Sequence, residues 1–493
     1  MTRPRVSCLG LCALLCLGPY GCSKLVGDPI EGNGVGSSCT SDDDCHLSVC
    51  SAGVCMTSCE ADRDCPVPSV CWQRECHMPL RVSAFYDGHV TEGEGWTWGH
   101  DDALRRAVDS LGYARLQTME GLNATTLPEP MGEAIEGGAD VVIATSLSLE
   151  GPVVATAEAH PDVHFMVATA STWLARPNLT TYQGRSETAY HVGGMVAAQK
   201  ATRRIGMILT TPHPRVFAEA NAFALGALRQ QPDITIEAQW LGFFIDYHAA
   251  PSFQHEGKNL FLEELLTARL LASGCEVIVL FDDTARGTRY IESLLVPGQA
   301  PLAYSLPRND KNACLDRATG QTMRSCLGSV FYDWTPRYQE VLDGIHRHSW
   351  VGKGVIDLME TSPSTVIGVE VNPLIGLDDT SIRVAVHEFS GADGIDKVFR
   401  GPYAITGQRD ADGDGVPDAD QRVLPDETVS NEELARMCWF VKGIVQKQDP
   451  SDPASPDQDA RAPDGTFPPP TDFVPPPEMT AEEGFDCRAY LSQ

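Results

Sequence analysis

Positive charge is scarce in this chain of 493 residues. Lys and Arg number 37 against 67 Asp and Glu, which gives a formal net charge of -30. An acidic surface repels the phosphates of nucleic acids and of anionic membranes. The composition therefore argues against a nucleic-acid-binding protein. Part of the acid excess lies in residues 448–493, whose Pro-rich and acid-rich composition predicts a disordered tail.

Long apolar runs are missing beyond the N-terminus. The run "VSCLGLCALLCLG" has about 13 residues, which is too short to span a bilayer but suits a secretory signal peptide. It ends at Gly21 and Cys22, as in a bacterial lipobox, where the cysteine is lipidated. Pro19 and Tyr20 depart from the usual lipobox pattern. Residues 1–22 are therefore predicted to be a signal peptide, with lipidation of Cys22 favoured over simple secretion.

Signatures of common enzymes are also absent from the sequence. There is no G-x-x-x-x-G-K-[ST] phosphate loop, no H-E-x-x-H and no G-x-S-x-G. The chain is predicted not to be an enzyme. A glycosidase stays as a remote alternative, because carboxylates that line a sugar site can resemble its acid pair.

Cysteine is concentrated in a short segment, predicted as a separate module over 23–79. Four cysteines recur twenty residues later as a second set of four, and the set is Cys39, Cys45, Cys50, Cys55, Cys59, Cys65, Cys71 and Cys76. In an exported chain this density predicts two disulfides in each repeat, with connectivities that the sequence leaves open. Zinc is the weaker interpretation, because C-x-x-C pairs are absent. A spacer is the default role.

After the cysteine block, short apolar runs alternate with helical patterns. The runs "RVSAF", "ADVVIATS", "HFMVATA", "RRIGMILT" and "CEVIVLF" are typical of strands that are buried on both faces. The first run is followed by a loop and then by a predicted amphipathic helix that ends at Gly112. The apolar face of this helix is indicated by the spacing of Leu104, Ala107 and Leu111. The pattern predicts an α/β fold with parallel sheets, and the length of 80–447 favours two lobes.

Seven segments, in order, resemble the basic membrane protein family of substrate-binding lipoproteins. They are "GWTWGHDDAL", "GADVVIATS" before "HPDVHFMVAT", "RPNLTTYQGRSETAYHVGGMVAAQ", "RRIGMIL", "EANAFALGA", "SVFYDWTPRYQEVLDGIHRHSW" and "VFRGPY". The resemblance covers most of residues 80–447. It implies a periplasmic-binding-protein-like fold with two lobes and a hinge, and a purine nucleoside bound for an ABC transporter.

The resemblance implies a ligand-binding role for the predicted loop that contains Trp96 and Thr97. In the nucleoside binders, an aromatic residue here stacks on the base and is followed by asparagine. An indole is a rigid flat surface suited to such stacking. Trp96 is therefore the predicted stacking residue, and Trp98 the predicted core residue. Thr97 offers only a hydroxyl in place of the amide, so the base selectivity of the family is not carried over.

Carboxylates at strand ends are candidates for holding a sugar, because a carboxylate accepts two hydrogen bonds from neighbouring hydroxyls. Four such acids and one serine complete the predicted ligand-binding set: Asp87, Ser146, Asp246, Asp282 and Asp310. Asp283 is an alternative to its neighbour Asp282. The competing role of each acid is to cap the helix that follows it.

The stretch "DADGDGVPDADQ" resembles the calcium loops of thrombospondin-type repeats, in a single copy. Its predicted calcium ligands are Asp410, Asp412, Asp414 and Asp418. A solvated acidic loop is the alternative, and no cofactor is otherwise expected. A last helix is predicted to start near Asn431 and to run through Met437 and Trp439.

Five cysteines lie after the disulfide-rich module. Cys314 and Cys326 are candidates to close one loop, and Cys438 and Cys487 to tie down the tail. Cys275 is predicted to be a buried thiol.

The sequence thus predicts an exported, lipid-anchored receptor of the bacterial cell envelope. It would capture a small neutral ligand, most simply a nucleoside, and deliver it to the permease of an ABC transporter. The alternative is a surface interaction or sensing protein that keeps the fold without nucleoside transport.

Overall fold

The computed structural model describes residues 49–51, 54–56, 61–62, 69–90, 95–168, 176–211, 213–241, 253–255, 258–407, 409–413, 418 and 422–446. The chain divides into two compact units. The first consists of Met1–Leu80 and Gly112–Arg115, and the second of Arg81–Leu111 and Leu116–Gln493. The predicted lipidation site Cys22 lies outside the described residues. No helix in the described ranges is both long and apolar enough to cross a membrane.

Two antiparallel hairpins lie in the first unit, formed by β1 (Val49–Ser51), β2 (Val54–Met56), β3 (Val70–Trp72) and β4 (Glu75–His77). The register places Cys50 opposite Cys55, and Cys71 opposite Cys76. The third and fourth cysteines of each sequence repeat therefore have the same backbone arrangement. Cys71 and Cys76 are disulfide-bonded, which confirms the prediction for these two. Four further predicted disulfide cysteines lie outside the described residues: Cys39, Cys45, Cys59 and Cys65.

From Leu80 on, strands alternate with helices. In chain order they are β5 (Leu80–Phe85), α1 (Gly95–Leu111), β6 (Ala114–Met119), α2 (Pro128–Glu136), β7 (Val141–Ala144), α3 (Glu150–Ala159), β8 (His164–Ala168), β9 (Leu179–Arg185), α4 (Glu187–Ala198), β10 (Arg204–Leu209), α5 (Pro214–Gln230), β11 (Thr235–Trp240), β12 (Phe253–His255), β13 (Lys258–Leu260), α6 (Leu262–Ala272), β14 (Val277–Leu280) and α7 (Arg286–Ser293). They continue as β15 (Tyr304–Leu306), β16 (Arg308–Asn309), β17 (Leu315–Asp316), β18 (Gln321–Thr322), β19 (Gly328–Tyr332), α8 (Thr335–His346), β20 (Gly354–Leu358), β21 (Ile367–Val371), α9 (Asp379–Phe389), α10 (Gly394–Val398), β22 (Tyr403–Thr406), β23 (Arg422–Val423), α11 (Asn431–Leu434), β24 (Phe440–Val441) and β25 (Ile444–Gln446).

A six-stranded sheet forms the centre of the first lobe, in the order β20-β9-β8-β7-β5-β6. The neighbours from β20 to β5 pair in parallel. All four residues of β7 are buried, as the unbroken apolar run predicted. Side chains of α2 and α3 complete the apolar core against this sheet, among them Met131 and Val153.

A five-stranded sheet forms the centre of the second lobe, in the order β15-β14-β10-β11-β25, with every pair parallel. Leu265, Leu266 and Leu270 of α6 pack on its strands β10 and β14. The predicted α/β architecture with parallel sheets is therefore confirmed.

Within the residues that the structure describes, the chain passes between the two lobes three times. The first passage, at 185–187, links β9 to α4, which packs on α5 and α9 in the second lobe. The second, at 332–335, leads from β19 into α8, which packs on α1 in the first lobe. The third, at 358–367, leads from β20 to β21. β19 and β21 form a small sheet with β16 at this junction. Hinged closure is absorbed by a few residues in connecting segments such as these.

Helices α4 and α5 approach each other closely at two glycines. A Cβ atom on Gly194 would lie 2.0 Å from the Phe223 carbonyl oxygen, and one on Gly226 would lie 1.9 Å from the His191 carbonyl oxygen. No other residue fits at either position without moving a helix.

The predicted last helix is wrong in its length. α11 ends at Leu434, and the residues that follow it lead into β24. Met437, Trp439, Phe440 and Val441 are all buried, and Phe440–Val441 is a strand that pairs antiparallel with β22. The backbone N–H of Val441 donates to Asn221 Oδ1 at 2.8 Å, which fixes the extended segment on α5.

Candidate functional site

The site on the first lobe begins where β5 and β7 end. Asp87 Oδ2 accepts a hydrogen bond of 3.0 Å from Ser148 Oγ, which lies 3.1 Å from Ser146 Oγ. Ser146 also caps the short turn Leu147–Leu149. The structure therefore brings together two predicted ligand-binding residues, Asp87 and Ser146, because parallel strands present their carboxyl ends at one edge of the sheet.

Trp96 lies in the first turn of α1, not in the loop that the sequence predicted. Its Nε1 donates to the Thr145 carbonyl oxygen at 2.6 Å. Three other rings form a stack, in which Trp334 lies parallel to His100 at 4.9 Å and to Tyr332 at 5.7 Å. Trp96 stands at 70° to 78° to all three. The indole is half-buried, so packing fixes its orientation and part of its surface stays accessible.

The burial of Thr97 and Trp98, the two neighbours of Trp96 in this turn, differs from the prediction. Thr97 is buried, and a Cβ atom on Gly88 would lie 2.6 Å from its Oγ1. Trp98 is only half-buried, so its prediction as the core residue is wrong. Residues three or four apart lie on the same face of a helix. The buried face of α1 contains Thr97, Asp101 and Leu104, and Trp98 does not lie on this face.

His100 connects the ring stack to a buried hydrogen-bonded chain. Its Nδ1 lies 2.5 Å from the Tyr338 hydroxyl, which lies 2.7 Å from the Tyr182 hydroxyl. Burial holds the pKa of His100 well below its ordinary value, so the ring is neutral. His100 therefore packs inside this chain of hydrogen bonds and does not line the site.

The site on the second lobe begins where β14 ends. Asp283 is paired with Arg308 at 2.9 Å and accepts a hydrogen bond from Asn309 Nδ2. Burial, with a smaller contribution from the negative charge of Glu263, raises the pKa of Asp282 to about 7. Asp282 Oδ1 is buried and has no hydrogen-bond partner among the described residues. This oxygen therefore has unused hydrogen-bonding capacity and is enclosed in this conformation.

The two lobes meet at these strand ends. Burial is the main cause that raises the pKa of Asp283, and the negative charge of Asp87 adds to it. The carboxylates of Asp87 and Asp283, which belong to different lobes, therefore repel each other. Such an arrangement favours a ligand that donates hydrogen bonds between them, because it relieves the repulsion of the two charges.

A buried ionic network joins the second lobe to the passages between lobes. Glu219 accepts hydrogen bonds from Arg215 Nε at 3.0 Å and from Ser186 Oγ at 2.6 Å, and it lies 3.9 Å from Arg308. Arg215 Nη2 also donates to the Tyr332 hydroxyl at 2.7 Å. Tyr332 in turn contacts Trp96, so the network reaches the first lobe.

The other two predicted ligand-binding acids do not join this set. Asp310 is buried, accepts from the Asn312 backbone N–H at 2.8 Å and pairs with Arg317 at 3.0 Å. Burial raises its pKa. Asp310 thus stabilises its own loop, and it does not cap a helix, which was the competing role that we weighed for strand-end acids. Asp246 lies outside the described residues.

Three residues that contribute to the site were not predicted from the sequence: Arg308, Arg215 and Tyr332. Tyr332 and Trp334 lie within the segment "SVFYDWTPRYQ" that carried part of the family resemblance, so the signal was present but unassigned. Arg308 sits between a strand end and two polar residues, and its partners are 25 or more residues away. Spacing alone does not reveal such a pair.

The predicted calcium loop is described only in part. Asp410 Oδ1 accepts from the Gly413 backbone N–H at 2.7 Å, and Asp418 Oδ2 from the Ala411 backbone N–H at 2.9 Å. Asp414 lies outside the described residues. Among those that are described, no group of three acidic, His or Cys side chains is arranged to hold a metal ion. Calcium stays a prediction.

Two of the predictions for the later cysteines are confirmed, those for the Cys314–Cys326 pair and for Cys275. Cys314 and Cys326 form a disulfide, which confirms that pairing. Cys438 is disulfide-bonded, and Cys487 lies outside the described residues. Cys275 is a buried thiol in the core of the second lobe.

Two comparisons of sequence bear on the site. Residues 80–256 match the Bmp family model, described as ABC transporter substrate-binding protein PnrA-like. A putative ABC transporter glucose-binding protein of Haloferax volcanii is 26% identical over 268 residues, which cover 54% of this chain and 61% of that protein. A purine-binding protein of Brucella abortus is 30% identical over 173 residues, which cover 34% of this chain and 48% of that protein. The match thus spans about half to three-fifths of these relatives.

Solved structures of similar proteins include two solute-binding proteins of ABC transporter systems. The protein from Conexibacter woesei is 17% identical, with a TM-score of 0.49, over 63% of this chain and 95% of that chain. The protein from Aeropyrum pernix is 13% identical, with a TM-score of 0.49, over 63% and 85%. The match of residues 80–256 to the Bmp family model, described as ABC transporter substrate-binding protein PnrA-like, confirms the resemblance that the sequence motifs indicated.

Proposed function

We propose that this protein is an exported receptor that captures a purine nucleoside between its two lobes and delivers it to an ABC transporter. One observation carries the proposal: the half-buried indole of Trp96 is hydrogen-bonded to the strand end of β7, where the hydroxyls of Ser146 and Ser148 lead to the Asp87 carboxylate. A flat ring beside two hydroxyls and a carboxylate suits a ligand that has a flat part and a part rich in hydroxyl groups.

The base would stack on Trp96. Stacking of a base on an aromatic side chain contributes about 1–3 kcal/mol. The hydrogen bond to the Thr145 carbonyl oxygen holds the indole in place before ligand arrives, so little ordering of the ring is required on binding.

The sugar would be held by acceptors. Asp87 has a carboxylate that Ser148 already orients, and Asp282 has a buried oxygen without a partner among the described residues. Ribose hydroxyls donate to such oxygens, and two donors on neighbouring carbons match the two oxygens of one carboxylate.

Capture would follow from hinged closure. A ligand that contacts Asp87 on one lobe and Asp282 on the other stabilises the closed arrangement over the open one. The three passages between the lobes allow the change of angle without loss of either sheet.

The two relatives suggest different ligands. The name of the Brucella protein gives a purine, and that of the Haloferax protein gives glucose. Trp96 is the reason to favour the nucleoside, although aromatic rings also pack against sugars. Glucose therefore belongs among the compounds to be tested.

Location forms a further part of the proposal. Export through residues 1–22 and lipidation at Cys22 would hold the receptor on the membrane of the bacterial envelope, close to a permease. Mass spectrometry of the N-terminal peptide would test this, because a diacylated cysteine and a cleaved, unmodified N-terminus differ by the mass of the lipid.

Thermal unfolding of the purified protein against adenosine, guanosine, inosine, adenine, ribose and glucose tests the ligand class. A compound that binds only the folded state, at a hundredfold excess over its dissociation constant, adds about 2.7 kcal/mol to the unfolding free energy. We expect the midpoint to rise with purine nucleosides. No rise with any compound, in protein free of co-purified ligand, would favour the surface interaction or sensing protein, and conversion of the compound would indicate an enzyme.

A further inference from the structure

A disulfide-closed hairpin projects from the second lobe between β16 and β19. Its strands β17 and β18 pair antiparallel, and the Cys314–Cys326 disulfide closes its base. Glu292 of α7 accepts hydrogen bonds from Ser325 N at 2.8 Å and from Ser325 Oγ at 2.6 Å. The base of this hairpin is therefore fastened to the second lobe.

The tip of the hairpin reaches the first lobe. The guanidinium of Arg317, which directly follows β17, lies over the ring of Trp98 at 4.5 Å from its centroid. Trp98 belongs to the first turn of α1. The contact therefore joins an element fastened to the second lobe with a helix of the first lobe.

Arg317 is held in this position by a second contact. Its Nη2 donates to Asp310 Oδ2 at 3.0 Å, and Asp310 Oδ1 accepts from the Asn312 backbone N–H at 2.8 Å. Two-thirds of the Arg317 side chain is shielded from solvent, since its exposed fraction is 33%. A guanidinium over an indole is among the most favourable cation–π pairs, and its strength increases when water is excluded.

We propose that Arg317 and Trp98 form a latch between the lobes, and that Arg317 is a positioning residue for ligand capture. The latch exists only while the lobes are close together, so it raises the closed population. It raises ligand affinity by the same factor without touching the ligand. The disulfide keeps the hairpin in the conformation that presents Arg317. The part of the proposal that concerns affinity rests on the proposed function.

Hydrogen exchange of the full chain, without added ligand, tests the latch itself. In Arg317→Ala we expect backbone amides of residues 96–101 to exchange several-fold faster than in the parent. Arg324→Ala is the matched control: it removes the same charge from the same hairpin, but Arg324 Nη2 donates to the Gln299 carbonyl oxygen, not to the first lobe. Trp98→Leu breaks the contact from the other side and should give the same result. Unchanged exchange at 96–101 in both Arg317→Ala and Trp98→Leu would overturn the proposal.

Affinity for inosine tests the consequence for capture. Arg317→Ala should weaken binding about five-fold, the size of a half-exposed cation–π contact, and Arg317→Lys should recover part of it. The double variant Trp98→Leu/Arg317→Ala should bind no more weakly than Arg317→Ala alone, because Arg317→Ala has already removed the contact with Trp98. Additive losses would overturn the latch. If inosine and the other nucleosides fail to bind the parent, the proposed function fails, and the exchange comparison still decides the latch.

Discussion

The Trp96 indole donates its Nε1 hydrogen to the Thr145 carbonyl oxygen at 2.6 Å, and so ties the first turn of α1 to the end of β7. The acceptor belongs to the backbone beside Ser146, which is itself a candidate contact. The ring and the strand end are therefore fixed relative to each other. A ligand that stacks on the ring meets the polar groups of the strand end at a set distance.

Removal of this ring should weaken nucleoside binding. In Trp96→Ala we expect a loss of about 1–3 kcal/mol, or roughly five-fold to more than a hundredfold, because the stacking surface disappears. Trp96→Phe keeps a ring but loses the hydrogen bond and should lose less. Calorimetric titration with inosine measures both. Trp98→Phe is the control, since it retains an aromatic face for Arg317, and equal affinities of Trp96→Ala and the parent would refute the stacking role.

Asp282 should make stability fall as pH rises. Its folded pKa of about 7 lies above the ordinary value of 3.8, so between these values the folded state holds a proton that the unfolded state has lost. The unfolding free energy then falls with rising pH, by at most about 1.4 kcal/mol per pH unit, and levels off above pH 7. Asp282→Asn should therefore exceed the parent in stability more at pH 8 than at pH 4.

Denaturant unfolding at several pH values measures this difference. The exposed Asp109→Asn removes the same charge from α1 and should show no such widening gap. A constant difference between Asp282→Asn and the parent from pH 4 to pH 8 would show that Asp282 titrates normally.

Arg308 should be essential for stability because it neutralises a buried carboxylate. The side chains of Arg308 and Asp283 are only 10% and 8% exposed. Arg308→Met leaves Asp283 without its cation, and removal of one partner of a buried pair costs about 3–5 kcal/mol. The double variant Arg308→Met/Asp283→Asn should recover part of this loss in guanidinium unfolding. A single variant as stable as the parent would mean that water already screens this pair.

The Cys314–Cys326 disulfide closes a loop with a sequence separation of 12. Replacement of both cysteines by serine should lower the unfolding free energy by roughly 3 kcal/mol, because the unfolded chain regains the freedom of that loop. The unfolding free energy should also decrease more steeply with denaturant concentration, since a less compact unfolded state exposes more surface. Identical unfolding curves for variant and parent would contradict the expectation.

Calcium should stabilise the protein if the acidic loop holds the ion. We expect the unfolding midpoint to rise in millimolar calcium and to return on addition of a chelator. Asp412→Asn should reduce the rise, whereas Asp109→Asn should retain it. Equal midpoints with calcium and with chelator would leave the solvated loop as the correct interpretation.

The strands could be predicted from the sequence because the burial of parallel sheets on both faces requires unbroken apolar runs. Residues 141–144 and 277–280 show this, since every residue of β7 and β14 is buried. The predicted order of strands and helices followed from the same runs. The start of α1 could not be predicted, because its first turn contains Trp96 and Trp98 in place of a clear cap. Both tryptophans were therefore predicted to lie in a loop, and the side of the helix on which each lies was not predicted.

The candidate site could be predicted only where it depends on local order. Asp87, Ser146 and Asp282 each follow a strand, and strand ends identify them. The pair of Arg308 and Asp283 depends on tertiary packing between separate elements, as does the contact of Arg317 with Trp98. No spacing in the sequence encodes either.

The glycine contacts between α4 and α5 have a mechanical consequence. Backbones that touch at Gly194 and Gly226 have no side chains between them that can change rotamer and absorb a displacement. We expect the two helices to turn as one block when the lobes open. Rotation must then be absorbed by the connecting segments, of which 185–187 is the shortest and joins directly to α4. The rotation that closes the lobes would then be transmitted to the helix pair through this three-residue segment.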